Sequence, residues 1–248
     1  MSKPLTSLVP SIEQRECTWT ELQERLAHTH KTPILPSITI SREFGCEGYP
    51  LALRLKELLE EASDWPWNVF DKALVDKVAS DERLSREILS HLGNESHAQD
   101  VLRMHFGFLT HDEAYAKLVK HLVQIAMAGC AIIVGRGGAV VCQDLKNCFH
   151  FRLVGSFEFR VATLARRLEL PQREAEELVR RQSRLREKFI SEHLHADVTS
   201  TQWYDAVFNN GRQQMESIAQ ACLHIVESGW PDRAFFKQSP SHPVLAAP

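Results

Sequence analysis

The stretch Ser37-Ile-Thr-Ile-Ser-Arg-Glu-Phe-Gly-Cys-Glu-Gly-Tyr-Pro-Leu-Ala-Leu53 decides how the rest of the chain is read. Ile38 and Ile40 give its first part the alternating, β-branched character of a short strand. Gly45 and Gly48 permit backbone angles that other residues resist, so a tight turn follows. Pro50 suits the first turn of a helix, where a missing N–H costs little. Leu51, Leu55, Leu58, Leu59 and Ala62 then recur on one helical face. A strand feeding a helix through a glycine turn gathers N–H groups and the positive end of a helix at one spot, where a phosphate can bind. The standard phosphate-binding loop ends in a lysine and a Ser or Thr. Laid on Ser41 to Pro50, that pattern puts Gly48 at the lysine place and Pro50 at the hydroxyl place. The turn therefore reads either as an anion site of unusual composition or as an ordinary strand-to-helix connection.

Composition narrows the setting. The chain has 248 residues, 44% of them hydrophobic, enough for one sizeable core with a smaller appended region. A net charge of -3 argues against a general binder of nucleic acid polymers but leaves room for a local basic pocket. No apolar run approaches the ~18 residues of a membrane span, and Met1 to Pro10 lacks an apolar signal core, so the expectation is a cytoplasmic protein. Six cysteines without a CxxC pair suit reduced thiols better than disulfides or zinc. Twelve scattered histidines include no HExxH pattern, so no metal site is expected from them.

The first 35 residues read as an N-terminal extension with one short helix, opened by the capping box Thr20-Glu-Leu-Gln23. After the first strand and helix, Trp67 to Phe70 is a second strand, and Asp71 follows at its carboxyl end. That is where α/β folds bind ligands, although Asp there also caps helices. Residues 82–108 are polar and broken, a candidate insert facing a substrate. Thr110-His-Asp-Glu113 is another capping box, Tyr115, Leu118, Val119, Leu122 and Ile125 follow at helical spacing, and Gly129 ends the helix. Ala131-Ile-Ile-Val-Gly135 is a buried-type strand that places Arg136 on the same edge as Asp71. Arginine there can grip an oxyanion with two N–H groups or simply lie at the surface. Cys148 to Gly155 is the next strand. Ser156 caps a helix with Phe157, Val161, Leu164, Ala165 and Leu168 on its buried face. A long helix runs from Pro171 to about His193, with Leu178, Leu185 and Phe189 as its apolar stripe. On its wheel Arg180 and Arg184 lie opposite the stripe, while Arg181 and Arg186 border it and could face a cleft. Tyr204 to Asn209 is a last strand, and Met215 to Ile225 a last amphipathic helix that Gly229 stops. Residues 230–248 read as a flexible C-terminal tail.

Alternating strands and helices predict a parallel sheet covered on both faces. Ile38-Thr-Ile-Ser-Arg-Glu-Phe-Gly45, Phe70-Asp-Lys-Ala-Leu74, Ile132-Ile-Val-Gly-Arg136, Phe157-Glu-Phe-Arg160 and Tyr204-Asp205, in this order and spacing, resemble the cytidylate kinase-like proteins, relatives of the P-loop nucleoside monophosphate kinases. The resemblance covers roughly Pro36 to Glu227 and assigns 36–229 to one domain of that kind. It implies a P-loop three-layer sandwich: a five-stranded parallel sheet, helices on both faces, and a helical lid at 171–195. It also implies phosphoryl transfer from ATP to CMP, dCMP or a related small acceptor, with Mg2+. Carried over, Ser41, Arg42, Gly45, Cys46, Glu47 and Gly48 would hold donor phosphates. Asp71, Arg136 and Asp205 would face the acceptor, and Arg42, Arg180, Arg184 and Arg186 would neutralise charge on the moving group. Gly48 replaces the lysine, with Arg42 as its possible substitute. Glu47 puts a negative charge into the turn, Pro50 removes a hydroxyl, Ser183 stands where established cytidylate kinases have Asp, and Gly137 likewise replaces an Asp. These departures keep a second reading open, a catalytically weak or inactive nucleotide-binding or regulatory protein on a kinase scaffold. A homo-oligomer is compatible with either.

Overall fold

A computed structural model describes residues 34–71 and 113–237. The expectations for the N-terminal helix, the 82–108 insert and the chain after 237 lie outside the described residues. The order of the main elements is β1 (Ser37–Arg42), α1 (Gly48–Ala62), β2 (Asn68–Phe70), α2 (Glu113–Ala128), β3 (Ala131–Val134), α3 (Gly138–Val141), β4 (Cys148–Val154), α4 (Phe157–Leu168), α5 (Gln172–Leu194), β5 (Ala206–Asn209) and α6 (Met215–Gly229).

The five strands form one sheet in the order β2-β3-β1-β4-β5, and every pairing is parallel. The first strand is thus flanked on both sides, by β3 and β4, with Ile38 opposite both Ile132 and Phe149. Strand alternation then sorts its side chains. Ile38 and Ile40 join Leu51, Leu55 and Leu59 of α1 and Ile218, Ala219 and Cys222 of α6 in one core. On the other face a second core holds Phe70, Ile133, Leu122 and Val123 of α2, Val140 of α3, and Ile190 and Leu194 of α5. Fully burying one such side chain contributes roughly 1.5–3 kcal/mol, and the two cores fix helices on both faces of the sheet as expected.

That second face carries a polar stripe where the central strands meet. Ser37, Thr39 and Ser41 stand opposite Cys148, His150 and Arg152, and most of these side chains are buried. Ser37 Oγ donates to the Ala126 carbonyl at 2.7 Å, and Thr39 Oγ1 bonds His150 Nδ1 at 2.7 Å, while the buried His150 Nε2 has no hydrogen-bond partner among the described residues. The small side chain at Thr39 lets α3 approach: a Cβ built on Gly138 would sit 3.2 Å from Thr39 Cγ2.

Two details depart from the expected pattern. Of the expected α5 stripe, Leu178 and Phe189 are half-buried and pack against the cores, but Leu185 does not. Ala175 and Val179 pack on α4, and Ile190 and Leu194 pack into the second core, while Leu185 is 54% exposed. The helix is therefore held at its two ends, and its middle turns bridge open space. Residues 230–237 are also not a loose tail, because Trp230, Phe235 and Phe236 are buried in the first core and Lys237 N–H bonds the Ala62 carbonyl at 2.7 Å.

Candidate functional site

The bridged space under α5 is a cavity of 330 Å3 at the carboxyl edge of β1 and β3. Its walls are Ser41 and Arg42 from β1, Val134 to Gly137 from β3 and its turn, and Gln182, Leu185, Arg186, Phe189 and Ile190 from α5, closed by Val198. Among the described residues no carboxylate lines it. The turn after β3 is unusual: Gly135, Arg136 and Gly137 all have positive φ, at 86°, 57° and 70°. Arginine rarely adopts that conformation without a local reason. Here it brings the Arg136 guanidinium 6.0 Å from the Phe189 ring centroid, against the cavity.

Arg42 is the centre of this arrangement. Its aliphatic stem crosses Gly48, where a Cβ would lie 3.0 Å from Arg42 Cδ, and its guanidinium reaches Gly135, where a Cβ would collide with Nη1. Burial, then the positive charge of Arg186, pulls Arg42 down from the ordinary arginine range to about 9, with Asp71 opposing. Arg186 is lowered to about 10, mainly by burial. Both remain cations at neutral pH. Arg186 Nη1 donates to the Arg42 carbonyl at 2.8 Å and its guanidinium lies 5.6 Å from the Phe44 ring centroid. Asp71 is buried at the end of β2, on the same sheet edge.

The glycine turn itself is tightly enclosed. Gly45 has φ 101°, and α4 presses on it so closely that a Cβ would stand 2.9 Å from the Arg160 carbonyl. Glu47 N–H donates to Asn210 Oδ1 at 2.8 Å, and the Glu47 carboxylate pairs with Arg167 of α4. Glu47 thus turns away from the cavity to a cation of its own. Cys46 is buried, and burial pushes its thiol up to about 12, so it is no thiolate nucleophile.

The structure brings Ser41, Arg42, Arg136 and Arg186 together and sets Asp71 and the glycine turn beside them. It does not bring Arg180, Arg184 or Asp205 there. Arg180 is exposed and stacks 4.3 Å from the Phe157 ring centroid, and Arg184 is exposed on the outer side of α5. Asp205 precedes β5 at its amino end, where Oδ2 accepts the His150 N–H at 2.6 Å and ties β5 to β4. Sequence reading missed Asn210, Gln182, Phe189 as a cavity wall, and Arg152. The last had a signal: an arginine in the middle of the otherwise apolar Phe151-Arg-Leu-Val154.

A family model described as the cytidylate kinase-like family matches residues 37–212. The chain belongs to the cytidylate kinase-like family. This cytidylate kinase-like chain also resembles a crystal structure of an uncharacterized protein from Eubacterium ventriosum ATCC 27560, at TM-score 0.62 and 18% identity over 78% of this chain and 98% of that one, a likeness in fold. No curated protein matched the sequence. The fold expected of the family, a five-stranded parallel sheet between helices, is the fold observed. Among the described residues no helix is long and apolar enough to cross a membrane, and no group of three His, Cys, Asp or Glu could hold a metal ion.

Proposed function

We propose that this cytidylate kinase-like protein is a phosphotransferase that moves a phosphoryl group from ATP to CMP, dCMP or a related small phosphate-bearing acceptor. The observation that carries this reading is the convergence of Arg42, Arg136 and Arg186 on one cavity. Phosphoryl transfer relies on positioning and on stabilising charge over the equatorial oxygens, and guanidinium groups provide both. The cavity's apolar walls, Leu185, Phe189 and Val198, would take the flat body of a base or sugar while the arginines hold its phosphate. Arg42 takes the part of the absent lysine, since its stem occupies the space over Gly48.

Magnesium usually arrives on substrate phosphates with one or two protein carboxylates and several waters. Asp71 and Ser41 fit that modest requirement and would be its protein partners, as Pro50 offers no hydroxyl. When bound, the ion would neutralise charge on the donor phosphates. The α4–α5 hairpin would act as the lid, held on the core by Ile190 and Leu194.

The enclosure of the glycine turn favours the second reading, a nucleotide-binding or regulatory protein of weak or no catalysis. A titration of the purified chain with ATP, GTP, CMP, dCMP and UMP, with and without Mg2+, followed by an ADP-release assay, separates the two. Turnover on a pyrimidine monophosphate is the expected result. Binding without turnover on any acceptor would favour the regulatory reading, and no nucleotide binding would overturn both.

A further inference from the structure

Behind Arg42 and Arg186, a smaller cavity of 80 Å3 adjoins the first and shares those two residues and Val198 with it. Its remaining walls include Arg152, Arg160, Ser183 and Glu43. Arg152 is 6% exposed in the middle of β4. Its Nη1 donates to the Tyr204 hydroxyl at 3.3 Å, and its Cζ lies 5.5 Å from the Tyr204 ring centroid. The hydroxyl in turn donates to the Val198 carbonyl at 2.9 Å, so Tyr204 offers neutral contact and no charge. Among the described residues Arg42, Arg152 and Arg186 form no ion pair at contact distance, and the carboxylates that act on them from farther off are Asp71 on Arg42 and Asp197 on Arg152. Glu43 is already committed, accepting the Gly155 N–H at 2.9 Å and standing 3.5 Å from Arg160 Nε. The other acid of the wall, Glu187, is exposed. The four guanidinium groups leave an excess of two positive charges over these two acids. Clustered, desolvated cations with no carboxylate in direct contact are costly, and an anion seated among them relieves that cost.

We infer that this small cavity is an oxyanion subsite distinct from the larger one, that it takes a tetrahedral dianion such as a phosphoryl group, and that Arg152 anchors it. On the phosphotransferase reading above, on which this assignment of its occupant rests, it receives the terminal phosphate of the donor, a place the turn's Glu47 N–H cannot fill while bonded to Asn210.

Isothermal titration of the full chain with inorganic phosphate, at fixed ionic strength, tests this beside a parallel titration with CMP. Arg152→Gln is expected to weaken phosphate binding at least tenfold and to change CMP binding less than threefold. Arg152→Lys should recover part of the loss, because it keeps the charge without the two-pronged grip. Ser183→Leu, which plugs the cavity from α5 and leaves Arg152 in place, should weaken phosphate to a similar extent. Phosphate binding that is absent from the native chain, or unchanged within twofold in Arg152→Gln or in Ser183→Leu, overturns the subsite. An equal loss of phosphate and CMP in Arg152→Gln also overturns it, since that marks a structural role. Arg152-dependent phosphate binding with no CMP binding would sink the CMP acceptor reading and leave the subsite standing.

Discussion

Replacing Gly48 with alanine tests whether Arg42 physically occupies the place of the missing lysine. Gly48 opens α1 with an ordinary φ, so alanine there is tolerated by the backbone and gains up to about 1 kcal/mol of helix propensity. Against this, the new Cβ would stand 3.0 Å from Arg42 Cδ and 3.2 Å from Cγ, a compression that the stem cannot easily relieve while its guanidinium is wedged at Gly135. Overpacking of this kind costs about 1–3 kcal/mol. Gly48→Ala alone should therefore destabilise by about 0–2 kcal/mol. In an Arg42→Ala background the two close contacts are gone and the one with Cβ, at 3.5 Å, is ordinary van der Waals distance. There the same change should be neutral or stabilise, giving a coupling of about 1–3 kcal/mol between the two sites. Urea unfolding of the native chain, both single variants and the double variant measures it, provided the slope m stays constant. Additivity within about 0.5 kcal/mol would refute the reasoning. The functional counterpart uses lysine: Gly48→Lys should lower ATP affinity in the native background and raise it in Arg42→Ala.

Among the α5 arginines, Arg186→Ala is expected to weaken nucleotide binding by about 10- to 100-fold, the worth of a lost charged hydrogen bond. Arg184→Ala on the exposed side should change it less than twofold, and equal effects in a direct titration would contradict the placement of the two. Glu47→Gln leaves Arg167 without its carboxylate, with its buried Nη1 already lacking a partner, and should lower stability by about 1–3 kcal/mol in chemical denaturation. Arg167→Met in the Glu47→Gln background should then add little, and full additivity would show that the two side chains do not interact. Burial lowers the His150 imidazole below its ordinary 6.5, so the unfolded chain takes up a proton more readily than the folded one. Stability from this group is present above about 6.5 and falls as pH drops below it, by at most about 1.4 kcal/mol per pH unit. His150→Gln should flatten that slope, and an unchanged stability profile between pH 7 and pH 5 would count against it.

The local features were readable because they depend on near neighbours. Ile38 and Ile40 alternate, Gly45 and Gly129 take positive φ, and Ser156 Oγ accepts the Phe159 N–H at 3.2 Å, all from patterns a few residues long. The family resemblance added the order of motifs and with it the parallel sheet. The long helix shows where this kind of reading stops. Its wheel identified a basic half and rightly put Leu178 and Phe189 on the packed side, but it added the exposed Leu185 and passed over Ala175, Val179, Ile190 and Leu194, because periodicity does not reveal that α4 holds one end and the second core the other. Asp205 stood in a family motif, yet the strand after it runs toward the carboxyl edge, which leaves Asp205 at the amino end beside His150.

By itself, then, the sequence determined the elements, the α/β class, the glycine turn and the absence of a lysine from it, since each is written in residue types and short spacings. Only the tertiary structure decided that Arg42 crosses Gly48 to reach Gly135, that Glu47 faces Arg167, and that Arg152 joins Arg42 and Arg186 under α5. Apart from the crossing of Gly48 by its near neighbour Arg42, those contacts join residues tens to more than a hundred positions apart. Their existence depends on which strands lie side by side and where each helix is pinned, and no local pattern records either.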